Sequence, residues 1–572
     1  MAVVRSVVTF ILILFNPINV FTNETIETDL QMPFKFNTVL ISILVRNKEH
    51  TLPYFLTYLE RLDYPKDRIA LLFFSDHNID RSIEVLKKWI TVNIKNYHSI
   101  ESVLDEESTR IPGEEGVAHW PRERYSHIMD LREEAISLAR HKWADYIWVL
   151  DADVFITNPN TLHKLMLKRK IITAPMLRSD GLYSNFWCGM TPEFYYRRTE
   201  EYSQILGRKK KGCFSVPMVH SAVLIDLRAV MSDDLTYNPE NLHEYSGPHD
   251  DIITFARSAN ISGVNMFVCN DETYGYVMVP MEKDDRLNYD LLQLKNLKLE
   301  VLVESGPLEY NVLLQEYVSI PEEDLIPVDE TFMINLLRRP DRRKRMEASF
   351  AELRLDVTIV NAVDGQLLTD DELNRLGVKL MPGYKDPYHK RPMKRGEIGC
   401  FLSHYNIWKE VVDKNYDIAM ILEDDVRFEP FFTRKMVYLI EELKRLPFQW
   451  DLVYLGRKRL QEKEEQQVTG TDYLVWAGYS YWTLGYLLSG QGAKKLIAQD
   501  PLSNIIPVDE YLPILYDKHP EDEWKNFFPI RNLIALSVEP LVLYPAWYLH
   551  EEGYVSDTED SPTITTTPRT EL

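Results

Sequence analysis

Two strongly apolar runs, far apart in the chain, each break off into a cluster of carboxylates. Tyr146-Ile147-Trp148-Val149-Leu150 runs into Asp151-Ala152-Asp153, and Ile418-Ala419-Met420-Ile421-Leu422 runs into Glu423-Asp424-Asp425. A short unbroken apolar run of this kind is the pattern of a strand buried on both faces, which belongs to a largely parallel sheet covered by helices. In such sheets ligands bind beyond the carboxyl ends of the strands. Acidic residues there face a crevice and not a core, and adjacent carboxylates repel one another until a cation relieves them.

The alternation of apolar strand and helical period extends over two long segments. Residues 34–282 contain further strand candidates at 38–45 and 69–75. Residues 330–556 open with Thr331-Phe332-Met333-Ile334-Asn335-Leu336, continue into a basic helix over 341–354, and carry another strand at Leu452-Val453-Tyr454-Leu455. No residue-level repeat relates the halves, so the expectation is two α/β domains of one architecture and not a recent duplication. Residues 283–329 are acidic and interrupted by Pro307, Pro321 and Pro327, which reads as a linker with some structure of its own. The Thr/Ser/Pro-rich tail, 557–572, is expected to be disordered.

With 45% hydrophobic and 27% charged residues, the 572-residue chain has a globular balance. Its net charge of −22 argues against a nucleic-acid partner, which needs a basic footprint, but not against a nucleotide-sugar, because a divalent cation can supply the missing positive charge. The four cysteines, Cys188, Cys213, Cys269 and Cys400, form no Cys-x-x-Cys pair, which argues against a structural zinc site. One reading is a bridge among the first three, with Cys400 a buried, inert thiol; the other is four buried thiols.

Residues 1–22 carry Arg5 and then an apolar run over 7–15, too short to span a bilayer and suited to the h-region of a signal peptide. An uncleaved anchor is the alternative, since small residues are missing at the cleavage position. The terminal Arg569-Thr570-Glu571-Leu572 is similar to the Lys-Asp-Glu-Leu type of retrieval signal, and Asn23 and Asn260 head glycosylation sequons. Together these give an endoplasmic-reticulum lumen address, with a retrieval receptor as a partner.

Asp151 and Asp153 flank a single residue, so both can face one crevice while Ala152 turns to the protein. Hard oxygen donors at this spacing suit Mn²⁺ or Mg²⁺, which bridge substrate phosphates; the alternative is a cap on the next element. Glu423, Asp424 and Asp425 are a second candidate metal cluster, with a solvated acidic turn as the alternative. A cation there neutralises charge building on a diphosphate as its bond to a sugar breaks. A hydroxyl attacking a sugar carbon also needs a proton acceptor. Asp250 or Asp251, in Gly247-Pro248-His249-Asp250-Asp251, is either that base or a helix cap; Asp509 and Glu510, in Pro507-Val508-Asp509-Glu510, hold the same options. Arg338-Arg339-Pro340-Asp341-Arg342-Arg343 lies where a diphosphate would approach, or else is a solvated helix start. The absence of Gly-x-Gly-x-x-Gly, Walker, Ser-His-Asp elbow and His-Glu-x-x-His patterns counts against dehydrogenase, kinase, hydrolase and zinc-protease chemistry.

Six ordered blocks then become familiar. They are Ile334-Asn335-Leu336-Leu337-Arg338-Arg339-Pro340-Asp341-Arg342-Arg343, Ala362-Val363-Asp364-Gly365, Gly396-Glu397-Ile398-Gly399-Cys400-Phe401-Leu402-Ser403-His404, Leu422-Glu423-Asp424-Asp425-Val426, Tyr454-Leu455-Gly456-Arg457-Lys458 and Pro507-Val508-Asp509-Glu510. This series closely resembles glycosyltransferase family twenty-five. With the first segment, the Gly553-Tyr554-Val555-Ser556-Asp557-Thr558-Glu559 block and the retrieval-like terminus, the chain is similar to the procollagen galactosyltransferase group of that family.

The resemblance implies two tandem Rossmann-like, GT-A type glycosyltransferase domains joined by a linker. It implies Mn²⁺-dependent transfer of β-galactose from UDP-galactose to hydroxylysine in procollagen chains. Glu423, Asp424 and Asp425 would form the metal and donor site of the second domain, and Asp151 and Asp153 that of the first. Arg338, Arg339, Arg342, Arg343, Arg457 and Lys458 would be the donor-binding cations. An α-linked donor and a β-linked product require one inverting displacement, with a base on the hydroxyl and no covalent enzyme nucleophile. The second domain, which carries the diagnostic blocks, is expected to turn over; the first is active or binds without turnover. A non-catalytic cell-adhesion relative and a collagen glucosyltransferase are the competing readings, and a homodimer is left open.

Overall fold

The computed structural model describes residues 35–191, 194, 196–197, 199–243, 245–318, 325–387, 389–460, 465–546 and 557–558. Residues 1–22, expected as a leader, the Asn23 sequon and the retrieval-like terminus lie outside them. Val39–Val45 (β1), Ile69–Ser75 (β2), Ser99–Leu104 (β3), Tyr146–Asp151 (β4), Ile172–Pro175 (β5), Cys213–Val216 (β6), Ala222–Asp226 (β7) and Met266–Cys269 (β8) form an eight-stranded sheet in the order β3-β2-β1-β4-β7-β5-β8-β6. The four strands β1 to β4 run parallel. β7 is antiparallel to both β4 and β5, and β8 is parallel to β5 but antiparallel to β6. The sheet is therefore mixed and not largely parallel. Ala-Val-Leu-Ile-Asp in β7 is as apolar as its neighbours, so composition carries no mark of its direction.

Alternate residues of each strand feed two cores. Ile41, Ile43, Trp148 and Leu150 bury on one face, and Leu40, Ile147 and Val149 on the other. Arg122–His141 (α1) and Asp251–Ile261 (α2) contribute to that second face. Cys213 and Cys269, cross-strand partners on β6 and β8, form a disulfide, while Cys188 and Cys400 are free and half-buried.

The segment expected as a linker holds a 19-residue helix, Leu287–Ser305 (α3), that belongs to both cores. Leu294, Leu297 and Val301 pack into the first domain, whereas Leu299 and Leu302 pack into the second. Ion pairs follow the same division: Asp290 meets Lys48 at 3.2 Å, Lys298 meets Glu352 at 2.6 Å, and Glu300 meets Arg427 at 3.2 Å. It is a clamp, not a tether.

The second sheet has seven strands: Glu330–Asn335 (β9), Thr358–Asn361 (β10), Ile418–Glu423 (β11), Leu452–Arg459 (β12), Leu474–Trp476 (β13), Ser480–Ser489 (β14) and Ala535–Val538 (β15). Their order is β10-β9-β11-β14-β12-β15-β13. β9 is parallel to β10 and β11, and β14 is antiparallel to β11 and β12. β4 and β11 thus occupy equivalent places. Each has a parallel strand on one side and an antiparallel one on the other, and each ends in acid. Among the described residues no helix is long and apolar enough to cross a membrane.

Three helices frame the second rim: Pro340–Leu353 (α4), Arg395–Asp413 (α5) and Val508–Leu515 (α6). α5 reaches it because glycines allow a close approach. A Cβ on Gly399 would stand 2.3 Å from the Val363 carbonyl oxygen, and one on Gly365 would stand 2.4 Å from the Arg395 backbone. Gly399→Ala must therefore push α5 away from the 363–365 loop, and overpacking of this kind costs about 1–3 kcal/mol. Urea unfolding should show that loss, whereas Gly116→Ala, which meets nothing within 4 Å, should stay within about 0.5 kcal/mol of the parent.

Candidate active site

At the second rim, β11 delivers Glu423 and the following turn supplies Asp424 and Asp425. Asp424 is committed to the fold. Its carboxylate accepts from Asn335 Nδ2 at the end of β9 (2.7 Å) and from Arg342 Nη1 on α4 (3.0 Å), and the ion pair is buried. Asp425 has no such partner at close range; Arg342 Nη1 stands 3.5 Å away. Burial, with the charges of Glu423 and Asp424, pushes the Asp425 carboxyl up to about 7. Glu423 accepts from Thr483 Oγ1 at 2.7 Å.

Glu423 and Asp425 stand between two cavities and border both. The larger, about 410 Å³, is lined by Glu397, Asp509, Tyr481 and Trp482 among others. The smaller, about 100 Å³, is lined by Arg338, Arg342, Asp364 and Asp557. The larger chamber is acidic and aromatic; the smaller sets Arg338 and Arg342 among carboxylates.

Asp509 and Glu510, adjacent in sequence and both at the larger cavity, differ in how their oxygens are used. Glu510 is 2% exposed and accepts from Tyr479 Oη (2.9 Å), Tyr481 Oη (2.5 Å) and His519 Nε2 (2.8 Å), so its oxygens are spent. Asp509 enters the larger cavity, where burial and then the charges of Glu510, Glu397 and Glu423 push its carboxyl up to about 7. That is the range of a working general base.

Of the six candidate cations the structure gathers three. Arg338, Arg339 and Arg342 converge on Asp557, with contacts of 2.5, 2.8 and 3.3 Å. Although burial pushes the Asp557 carboxyl up, the arginines hold it below its ordinary range. Asp557 therefore lies docked on this cluster, against the expectation that it begins a disordered tail. Arg343 turns outward to Glu347 at 2.8 Å on α4. Arg457 is 4% exposed and spent on Glu465, Ser480 and Ser537, so it is an internal anchor and not a donor contact. Lys458 is exposed and lies 5.0 Å over the ring of Trp482.

At the first rim both carboxylates are already paired. Asp151 Oδ1 lies 3.1 Å from Arg132 Nη2, and the same guanidinium holds Asp251 at 2.8 Å. Asp153 Oδ2 lies 2.9 Å from Lys48 Nζ, which also reaches Asp290. Asp250 accepts from the Ile253 amide at 2.9 Å as the N-cap of α2, and burial and Asp251 push its carboxyl up to about 6. Asn260 is exposed in the last turn of that helix.

Comparison with known proteins accounts for this paired arrangement. Residues 36–298 match "Glycosyltransferase family 25, N-terminal domain" and residues 328–512 match "Glycosyltransferase family 25 (LPS biosynthesis protein)". The chain belongs to glycosyltransferase family 25. A "Glycosyltransferase 25 family member" of Aedes aegypti is 50% identical over 533 residues, 93% of this chain and 88% of that one. "Procollagen galactosyltransferase 2" of Homo sapiens is 47% identical over 538 residues, 94% and 84% respectively, and "Procollagen galactosyltransferase 1-A" of Xenopus laevis is 48% identical over 539, 94% and 87%. Among solved structures, the S. aureus TarS 1-349 complex with UDP-GlcNAc aligns at a TM-score of 0.28 with 12% identity, covering 49% of this chain and 70% of that one.

The family 25 fold is two tandem α/β domains, as the strand-and-carboxylate pattern indicates. The site holds residues to which the sequence attached no role. Asn335 fixes Asp424 beside Arg342, itself a candidate donor-binding cation; Thr483 fixes Glu423; Cys400 and His404 come from α5. For the last two a signal existed, because residues four apart on a helix share a face.

The different duties of neighbouring aspartates give a direct prediction. Asp424→Ala takes the closest buried partner from Arg342 and the acceptor from Asn335, leaving Arg342 its longer contacts to Asp425 and Asp557, a loss of up to about 3–5 kcal/mol. Asp425→Ala removes only the 3.5 Å contact to Arg342 and should unfold near the parent midpoint. Chemical denaturation of the two variants side by side checks this.

Proposed function

We propose that this chain transfers β-galactose from UDP-galactose to the hydroxyl of hydroxylysine in procollagen, at the rim of its second domain, by a single inverting displacement. The observation that carries the proposal is the wall formed by Glu423 and Asp425, with Arg338 and Arg342 in the chamber on one side and Asp509 in the chamber on the other. The names of the human and frog relatives support the acceptor and the sugar.

Glu423 and Asp425 fit a hard divalent ion such as Mn²⁺: both are oxygen donors, and the Asp425 carboxyl stays raised by burial and its acidic neighbours despite Arg342 at 3.5 Å. These two residues would hold the ion, which when bound supplies Lewis-acid neutralisation of the diphosphate. Arg338 and Arg342, which line the smaller chamber, bind the leaving UDP with Arg339 beside them, where the three now hold Asp557. Asp509 takes the hydroxyl proton of the acceptor. The freed oxygen forms its bond to the anomeric carbon from the face opposite UDP, and the electron pair of the breaking bond leaves with UDP. Trp482 and Tyr481 supply an aromatic wall in the acceptor chamber. The first domain, whose Asp151 and Asp153 carry their own cations, serves binding in this scheme.

Release of UDP from UDP-galactose with a hydroxylysine-containing collagen peptide and Mn²⁺ tests the proposal. UDP-glucose offered in parallel should turn over far more slowly. Asp425→Ala should abolish transfer, and Asp509→Asn should lower kcat by about 10²–10⁴-fold, the usual worth of a positioned base. Release no faster than background, or parental rates in Asp425→Ala, would count against it.

The raised carboxyls also set a pH dependence of stability. Asp425 and Asp509 sit near 3.8 when unfolded and about 7 when folded, so across that window the native state binds more protons. Stability then falls as pH rises from about 4 to 7. A dication relieves the same repulsion, so Mn²⁺ should raise the thermal midpoint clearly at pH 7.5 and little at pH 5, an outcome scanning calorimetry reads directly.

A further inference from the structure

We propose that Cys400, His404 and Glu423 form a binding site for a borderline-soft divalent cation of the zinc type, beside the hard-oxygen position, and that a cation held there inhibits transfer by taking Glu423. Their ligand atoms all lie within 4.8 Å of one another. His404 Nε2 stands 3.4 Å from Glu423 Oε1. Two ligands about 2.0–2.1 Å from a tetrahedral zinc are about 3.3 Å apart, so this pair is already spaced for coordination.

The imidazole supplies an independent observation. His404 is 1% exposed, yet Nε2 makes no hydrogen bond. A buried ring nitrogen left in this state is costly, and a cation relieves it. Its other nitrogen is held: Nδ1 lies 2.9 Å from Tyr486 Oη, which also accepts from Trp408 Nε1 at 2.9 Å. In the tautomer with Nδ1–H donating to Tyr486, Nε2 presents its lone pair toward Cys400 and Glu423, the second-shell arrangement of metal-bound histidines.

Thiolate, imidazole and carboxylate together select zinc over manganese, which prefers all-oxygen sites. Coordination replaces the Cys400 S–H bond with a sulfur–metal bond and releases the proton to solvent. Cys400 and Glu423 border both cavities, so the fourth position opens to water. The first-domain cluster of Asp76, His77 and His127 differs: the ring nitrogens that face Asp76 are already paired with it, His127 Nε2 at 2.6 Å and His77 Nδ1 at 2.9 Å.

The site itself stands on geometry; only the inhibition rests on the proposed galactosyl transfer. Metal-free full-length protein is titrated with Co²⁺, whose thiolate charge-transfer absorption reports sulfur ligation, and then with Zn²⁺ to displace it. The expected result is one thiolate-bound cobalt per chain, displaced by one zinc. The band should be lost in Cys400→Ser and kept in Cys188→Ser and Asp425→Ala. A folded His404→Gln should weaken zinc at least tenfold; if it does not fold, the Cys400→Ser comparison decides alone. With excess Mn²⁺, the zinc concentration that halves transfer should rise at least tenfold in Cys400→Ser. Absence of the band in the parent, or its survival in Cys400→Ser, would overturn the site. A band without zinc inhibition of an active enzyme would overturn the inhibitory role, and a band in a protein without transfer activity would uphold the site while the functional reading fails.

Discussion

The buried contact between Arg342 and Asp424 organises the second rim. It ties α4 to the turn after β11, and Asn335 ties the same carboxylate to the end of β9. Buried charges are tolerated when paired and hydrogen-bonded, and this pairing uses up one acidic residue of three. Its neighbours are then held at the rim with no comparable relief. The raised Asp425 carboxyl is a consequence of that division: the backbone that satisfies Asp424 presents Asp425 to the cavity.

The same logic, applied to the first rim, gives the opposite outcome. β4 and β11 hold equivalent positions in their sheets, and both end in acid. Lys48 and Arg132, however, bring an ammonium and a guanidinium to Asp153 and Asp151. Lys48 owes its place partly to Asp290 on α3, the clamp between the domains. The connection between domains thus reaches into the electrostatics of the first site, while α3 touches the second domain through Leu299, Leu302 and Glu300 on the back of the rim.

Strands buried on both faces were legible because their apolar runs are unbroken, and the acidic clusters because they end those runs. What sequence could not show was which carboxylates are spent. Glu510 looks no different from Asp509 until Tyr479, Tyr481 and His519 close around it. Arg457 stands in a block with Lys458, but β12 has register irregularities there, and the guanidinium lies buried on Glu465 while the lysine faces solvent. α3 hid for another reason. A helix serving two cores has apolar residues on two sides, so Leu294, Leu297, Leu299, Val301 and Leu302 draw no single stripe. β7 and β14 run antiparallel beside the acidic strands, and direction leaves no trace in composition.

The tight approach of α5 shows why a family block can be built of such small residues. Gly399 lets the helix touch the 363–365 loop, and Ser403 donates to the Gly399 carbonyl at 2.7 Å while accepting from the Val363 amide at 2.9 Å. The helix is thereby fixed in depth and rotation, and Cys400 and His404 are carried to Glu423 as one rigid unit. A larger residue at 399 would move those two side chains and Glu397 together, away from a strand end anchored independently by Arg342. The separation between α5 and β11 is therefore the dimension on which the chemistry of this rim depends, and glycine is the residue that keeps it small.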